Sequence, residues 1–512
     1  SAMAWVMITE DLYDKDFVDK YCMGFDRSQM PEAYSNEESY KDYILGIRDG
    51  QPKTPEWAEN ITSVPREDIV RIAREYATAE SAVLYQGYGM QRRAYGEQVV
   101  RGGCVLAAIT GNVGNAGGWA SGIALQAGGG PYWNVFPVLD NPVRAQIPSF
   151  LWSEAVLRGP ELTDKEGLVG IDKLPHGIKM IWAVASNAIV NQHANINRTI
   201  DIIRDTSKLE FFAVQDNFMT VTAKFADLVL PACTQFETWG LEDGWKYGEE
   251  VILQPQILEP PWETKSDYAI CSEIARKLGI GDEYTLGRDE KQWVGALLDE
   301  YRELRFPELP SLEEFEAKNL GVYSRPVDKP KVAFQDFRAD PVAHPLPTAS
   351  GKIEIFCEEM FSKNLPDEVP AIPKYVQEWE SPFGEESEKY PLQVLSTHFM
   401  PRVHSTFFNC DWNNEAFPQR VFINPVDADQ RGLKDGQKVK IYNDRGTVIL
   451  PCRITRRLLP GVVNIPQGAW WKPDKDGNDI GGSVNTLTSE RWSPFAFGNT
   501  QHTIMAQIEA VT

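Results

Sequence analysis

The sequence predicts a multidomain α/β protein with parallel sheet, followed by a β-rich closed barrel at the C-terminal end. Three observations carry this. Residues 178–232 alternate continuous apolar runs with helical spacing, the signature of a βαβ unit. Residues 391–512 hold short alternating runs between turn signals at Asp435-Gly436 and Asp444-Arg445-Gly446. The chain has 512 residues, 42% of them hydrophobic, and single cores stop growing near about 250–300 residues, so two to four domains are expected.

The elements follow in order. Ala2 to Ile8 is an apolar run with no N-cap before it, and it reads as a buried helix already under way. It lacks the basic flank and cleavage site of a secretory signal, and the chain reads as the later portion of a longer polypeptide. Around "NITSVPREDIVRIAREYATAE", Ile69, Ile72, Ala73 and Tyr76 share one helical face behind Pro65. "SAVLYQGYG" is a short strand entering a glycine turn, and "GEQVVRGGCVLAAI" is a buried helix ended by Gly111. "KMIWAV" and "LEFFAVQD" are buried strands flanking the helix "NINRTIDIIRDT", with Asn195 as its cap. "TAKFADLVLPA" is a short helix leading to a third strand. Helices are expected over 265–279 and 289–305, with a shorter one in "PSLEEFEAKN" and a turn-to-strand step in "TASGKIEIF". The Pro- and Glu-rich stretch 364–390 reads as a linker or wrapping segment.

Charge excludes some partners. The 51 basic residues against 73 acidic give a net charge of −22, which argues against broad nucleic-acid binding and against docking on anionic lipid. No apolar run of about 18 residues is present. The seven cysteines are scattered, and the nearest two, Cys233 and Cys271, are 38 positions apart. Zinc and iron–sulfur sites usually show a close pair such as C-x2-C, so these read as isolated core thiols. The six histidines form neither H-x3-H nor HExxH, and a self-contained hydrolytic metal site is not expected. The motifs GxSxG and GxxxxGK[ST] are absent.

Four motifs remain. In "TGNVGNAGG" a helix precedes the glycines, the reverse of a Rossmann fingerprint. A helix C-cap with its loop is the plain reading, and a ligand loop the alternative. Asn187 and Asp216 each follow a predicted parallel strand, where open α/β sheets bind ligands. An Asp there can accept from a ribose or a guanine edge, or it can be an ordinary turn residue. "THFMPRVHSTFFN" gathers Arg402, His404, Ser405 and Asn409, donors that suit a pyrophosphate or a solvated loop. In the tail, Trp470 and Trp471 could wall a pocket, and Asn485 and Gln501 could each read a heterocycle edge.

The order of motifs resembles the molybdopterin oxidoreductases of the dimethyl sulfoxide reductase family. The residues that carry it are "AWVMITEDLYDKDFVDKY", "KTPEWAENITSVP", "QGYGMQR", "TGNVGNAGG", "NQHANINRT", "AKFADLVLPA", "TASGKIEI", "RVHST", "INPVDADQRGLKDGQKVKIYNDRG", "PGVV" and "GGSVNTLT", in order across nearly the whole chain. The resemblance implies one molybdenum held by two molybdopterin guanine dinucleotides. It implies that Gly87 and Gln91 approach a pterin. Asn187 would contact a dinucleotide phosphate, with Gln215 and Asp216 on its guanosine and Asp267 also on a guanine. The stretch from Ser396 and Thr397 through Arg402, His404 and Ser405 would wrap pterin and phosphates, and Asn485 with Gln501 would close the second pterin. The barrel is then expected to be a double-psi β-barrel.

The resemblance also implies four segments. Residues 1–120 would be the remainder of a first α/β, molybdopterin-binding domain, and 121–240 a second α/β, dinucleotide-binding domain. Residues 241–390 would be a mixed helical and irregular segment packing on them, and 391–512 the barrel, binding molybdopterin dinucleotide. The family's [4Fe–4S] cysteine cluster and its protein ligand to molybdenum have no counterpart here, so the catalytic metal ligand is expected in a missing N-terminal part. The implied activity is reduction of an S-oxide or N-oxide in anaerobic respiration. An iron–sulfur electron-transfer subunit and a membrane anchor subunit would be partners, on the periplasmic side of the cytoplasmic membrane after twin-arginine export. The alternatives are another substrate of the family (an oxyanion, a phenolic compound or formate) or a non-catalytic cofactor-binding fragment.

Overall fold

The computed structural model describes residues 1–121, 141–243, 250–304, 306–324 and 332–511. The chain divides into two compact units, one of residues 1–127, 330–379 and 491–503, the other of 128–329, 380–490 and 504–512.

The first unit is built on helices. Ala2–Thr9 buries Ala4, Val6 and Met7. Lys15–Tyr21 starts at Asp14, whose carboxylate accepts from the Phe17 N–H, and it buries Phe17 and Val18. Gly96–Ile109 buries Val105, Ala108 and Ile109 against the same core. Arg66–Thr78 packs through Ile69 and Ala73, but Ile72 is 42% exposed. The expected apolar face is therefore narrower than the spacing suggested, because the stripe that meets a neighbour is centred between positions i and i+4. Val83–Tyr85 pairs in parallel with Trp119–Ser121.

"TGNVGNAGG" is a C-terminal helix cap packed on protein. Gly111, Gly114 and Gly117 have positive φ, and a Cβ on Gly114 would lie 2.6 Å from the Cβ of Arg338. The Arg338 guanidinium donates to the carbonyls of Gly111 and Val113 at 2.6 and 2.8 Å. Part of the Pro- and Glu-rich stretch wraps this unit. The half-buried Arg101 guanidinium donates to the carbonyls of Ile355, Pro370 and Ala371, and Ile372 enters the core.

The second unit contains the predicted parallel sheet, in the order Met180–Val184, Phe211–Asp216, Leu228–Pro231. Helix Ile196–Arg204 covers one face through Ile196, Ile200 and Ile203, and Asn195 caps it by accepting from the Arg198 N–H. The helices expected over 265–279 and 289–305 are Asp267–Leu278 and Glu290–Leu304. Residue 305 lies outside the described residues, as do 122–140 of the expected second domain. A three-stranded antiparallel sheet of Gly240–Asp243, Glu250–Gln254 and Val322–Ser324, not expected from the sequence, packs with Val294, Leu298 and Phe315. Its strands are short and its last pairing joins distant segments, so local periodicity carries little of its signal.

The barrel in this unit is closed. Its order is Leu392–Leu395, Val462–Asn464, Val421–Ile423, Gly446–Ile454, Lys438–Asn443, Met505–Ala510, and the last strand returns antiparallel to the first. Alternation places Val439, Ile441 and Val448 inside with Val394, Val421, Ile423 and Val463, while Lys438 and Lys440 turn outward. Closure leaves no free sheet edge.

Candidate functional site

At the carboxyl end of the parallel sheet the structure gathers four of the expected residues. Gln215, next to last in the central strand, is fully buried. Its Nε2 donates to the Asp267 carboxylate, and its Oε1 is buried with no partner among the described residues. Asp267 opens helix Asp267–Leu278, whose start is fixed by Ser266 accepting from the Ala269 N–H at 3.1 Å. Asp216 accepts from the Phe218 N–H at 3.1 Å, and burial, with the nearby Asp267 charge, pushes its carboxyl up from the ordinary Asp range. Asn187 belongs to the same strand end, since the Ala185 N–H donates to the Gln215 carbonyl at 2.8 Å. Its Oδ1 accepts from the Thr222 N–H at 3.0 Å, while its Nδ2 is buried without a partner among the described residues.

The barrel loop after Leu392–Leu395 carries the second group. Thr397 is fixed by its N–H donating to Asn464 Oδ1 at 3.1 Å, and Ser396 is buried beside it. Arg402 is 6% exposed, and its guanidinium lies 4.8 Å from the centre of the Phe399 ring and 4.7 Å from that of Phe408. Nη1 donates to Gln419 Oε1 at 3.0 Å, but Nε and Nη2 are buried with no partner among the described residues. Burial pushes this guanidinium down to about 10. A cation held between aromatic faces with donors unused is poised for an anion. His404 has φ +52, and its Nδ1 lies 3.2 Å from Gln467 Nε2. Gly468 passes so close that a Cβ would overlap the His404 carbonyl at 1.8 Å.

Long-range bonds tie these two groups together. Gln192 Nε2 donates to Ser405 Oγ at 2.9 Å, and Trp470 Nε1 donates to the Ser405 carbonyl at 2.8 Å. Asn191 donates to the Ala469 carbonyl at 3.1 Å and accepts from the Trp471 N–H at 2.7 Å. Asn485 Nδ2 in turn donates to the Asn191 carbonyl at 3.0 Å. Sequence reasoning missed Asn191 and Gln419, whose partners are set by the fold, and Phe399 and Phe408, which lie in the same loop as Arg402 but face it only through the path that loop takes.

The first unit holds the remaining expected residues. Gly87 has φ +68 with open space where a Cβ would stand, and Gln91 is exposed. Gln501 is buried on the segment that docks here, where the His502 N–H donates to the Arg92 carbonyl at 3.0 Å and the Ala94 N–H to Thr503 Oγ1 at 2.7 Å. The Arg93–Glu378 ion pair braces the same loop. Among the described residues no group of three His, Cys, Asp or Glu side chains could hold a metal ion. The described cysteines are all unpaired thiols.

Comparison with known proteins places this architecture. The model "Molybdopterin oxidoreductase" matches residues 1–277, and "Molydopterin dinucleotide binding domain" matches residues 392–505. The chain belongs to the molybdopterin oxidoreductase family. It is 42% identical over 521 residues to "Dimethyl sulfoxide reductase DmsA" of Haemophilus influenzae, an alignment covering 99% of this chain and 64% of that protein. To "Dimethyl sulfoxide/trimethylamine N-oxide reductase" of Rhodobacter capsulatus it is 32% identical, covering 100% of this chain and 63% of that one. It spans about two-thirds, 63–64%, of the length of these relatives. The fold also matches acetylene hydratase from Pelobacter acetylenicus, with TM-score 0.67 and 20% identity over 100% of this chain and 69% of the other.

The family's cofactor is molybdenum held by two molybdopterin guanine dinucleotides, and the residues present fit such a group. The unpaired donors of Arg402 and Asn187 suit phosphate oxygens. The unpaired Gln215 Oε1, with the carboxylates of Asp216 and Asp267, suits the N–H donors of a guanine.

Proposed function

We propose that the polypeptide containing these residues is a molybdenum reductase that removes an oxygen atom from an S-oxide or N-oxide. The observation that carries the substrate class is the 42% identity to dimethyl sulfoxide reductase along 99% of this chain. The observation that carries cofactor binding is the buried Arg402 guanidinium with two unpaired donor nitrogens. When bound, the molybdenum supplies two-electron oxygen-atom transfer.

The chain's own residues bind and orient. Asp216, Asp267 and Gln215 would hold one guanine, and Asn187 a phosphate of that dinucleotide. Arg402, His404 and Ser405, with Ser396 and Thr397, would hold pyrophosphate and pterin from the barrel side. Gly87, Gln91, Asn485 and Gln501 would contact the pterins. An iron–sulfur subunit and a membrane anchor, on the periplasmic face of the cytoplasmic membrane, complete this reading by family resemblance. No helix among the described residues is long and apolar enough to cross a membrane.

The test is expression of the full-length gene in a host that makes the cofactor, followed by assay with reduced viologen. Oxidation of the dye by dimethyl sulfoxide or trimethylamine N-oxide is expected. Turnover confined to nitrate, or formate oxidation instead, would replace the substrate class. Assay of the 512-residue chain for molybdenum and pterin tests whether these residues alone retain the cofactor.

A further inference from the structure

A fully buried carboxylate, Asp479, sits under the loop that carries Asn485, and neither motif reasoning nor the cofactor reading assigns it a role. Its backbone is fixed to the barrel: the Asp479 N–H donates to the Thr447 carbonyl at 2.9 Å, and the Ile449 N–H to the Asp479 carbonyl at 2.8 Å. Its side chain then collects five donors. Oδ1 accepts from the N–H groups of Lys472, Gly481 and Gly482 at 2.9, 2.8 and 3.2 Å. Oδ2 accepts from the Ser483 N–H at 2.7 Å and from the Thr486 hydroxyl at 3.3 Å. Three of the donors after it are the consecutive N–H groups of Gly481, Gly482 and Ser483, and the fourth, the Thr486 hydroxyl, lies beside Asn485.

Asn485 Nδ2 gives one proton to the Asn191 carbonyl, and a carboxamide has a second that it can offer a ligand. The turn that fixes its direction contains two glycines. Gly482 has φ +93, and a Cβ on Gly481 would lie 1.9 Å from the Trp470 carbonyl. Glycines give a chain this path but do not hold it there, because they lose the most conformational freedom on ordering. A single acceptor receiving several successive N–H groups supplies what they lack.

We propose that Asp479 is a positioning residue for the cofactor: its carboxylate gathers the 481–486 turn and thereby aims Asn485 at a pterin. This rests on the cofactor reading above. Asp479 itself touches no ligand and acts through Asn485.

The experiment compares the 512-residue chain with the variants Asp479→Asn, Asn485→Ala and the double variant, made in a cofactor-producing host. Asp479→Asn is nearly isosteric but puts an NH2 donor where Ser483 N–H needs an acceptor. Pterin retained per chain is read by fluorescence after acid oxidation. Hydrogen exchange is read on peptides covering residues 480–488 and on peptides of the barrel strands, in protein stripped of cofactor.

Asp479→Asn is expected to speed exchange across 480–488 by about tenfold or more, the size of one lost charge-assisted bond, with barrel strands still protected. Asn485→Ala is expected to leave that exchange unchanged. Both single variants are expected to lose pterin, and the double variant no more than Asn485→Ala alone. Unchanged exchange in Asp479→Asn overturns the proposal, and so do pterin losses that add. If Asp479→Asn unprotects the whole barrel, Thr486→Val replaces it, with the same direction expected and the same absence overturning. If wild-type chain retains no pterin, the cofactor reading for this chain fails, and the exchange result still decides whether Asp479 orders the turn.

Discussion

Among the described residues Arg402 gives one hydrogen bond, from Nη1 to Gln419 Oε1 at 3.0 Å, and no carboxylate answers its charge. Gln419 is itself committed, donating to the carbonyls of Pro466 and Gly482 at 2.7 and 3.2 Å. The guanidinium is thus oriented by a neutral amide and two aromatic rings, with its remaining donors left over. A buried charge left unpaired costs the fold, so its presence speaks for a ligand.

Arg402→Met separates those two effects. Without ligand the variant is expected to melt no lower than wild type, because burying unpaired donors costs on the order of 1–3 kcal/mol each. With GDP as probe, affinity is expected to fall about tenfold or more, the worth of a charge-assisted bond. Thermal melts and calorimetric titration check both. A large loss of stability with unchanged GDP affinity would make Arg402 a structural residue only.

Asp216 tests the base. Asp216→Asn replaces an acceptor with a donor facing the guanine N–H edge, so GDP binding is expected to weaken by about tenfold or more. ADP binding, which lacks those donors, is expected to stay as weak as in wild type. The titration with both nucleotides reads the ratio, and an equal effect on both would remove Asp216 from base recognition.

His193 gives a pH dependence. Its Nε2 lies 3.1 Å from the Ser153 hydroxyl, both buried, and burial, with the Arg198 charge, pushes the imidazole down to about 4. The unfolded chain binds this proton near the ordinary His value, about 6.5. The stabilisation is therefore complete above that pH and is lost as pH falls toward 4, by on the order of 3 kcal/mol. His193→Gln is expected to flatten this part of the stability curve between those pH values, measured by denaturant unfolding. Parallel curves would mean that His193 charges without penalty.

Arg101 tests the wrapping segment. Arg101→Met removes the donor to the carbonyls of Pro370 and Ile355, at 2.9 and 3.2 Å, and to that of Ala371. Two or three half-buried acceptors are left, at about 1–3 kcal/mol each if water cannot reach them. A lower melting temperature and new proteolytic cleavage between residues 355 and 371 are expected. Resistance equal to wild type would show that core packing through Ile372 holds the segment alone.

Much of the fold was legible because its signals are local. The strands at 180–184 and 211–216, the helix capped by Asn195 and the hairpin around Asp444-Arg445 all rest on periodicity and turn chemistry within a few residues. The exposure of Ile72 and the antiparallel sheet through Gly240–Asp243 were not legible, because each depends on which distant segment packs against it.

The sequence by itself determined the succession of α/β unit and barrel, and its motif order gave the family resemblance that family matching upholds. It also placed Asn187 and Asp216 after strands, where a sheet of this kind exposes side chains to ligands. Only the tertiary structure decided that Gln215 meets Asp267 across 52 positions and that Asn191 meets Asn485 across 294. It likewise decided that Arg402 lies between two rings without a counter-charge among the described residues, and that Asp479 gathers five donors, four from the 481–486 turn and one from Lys472. The physical reason is that hydrogen-bond satisfaction and burial are properties of a neighbourhood, and which residues share one, whether seven or 294 positions apart, is set only when the chain folds.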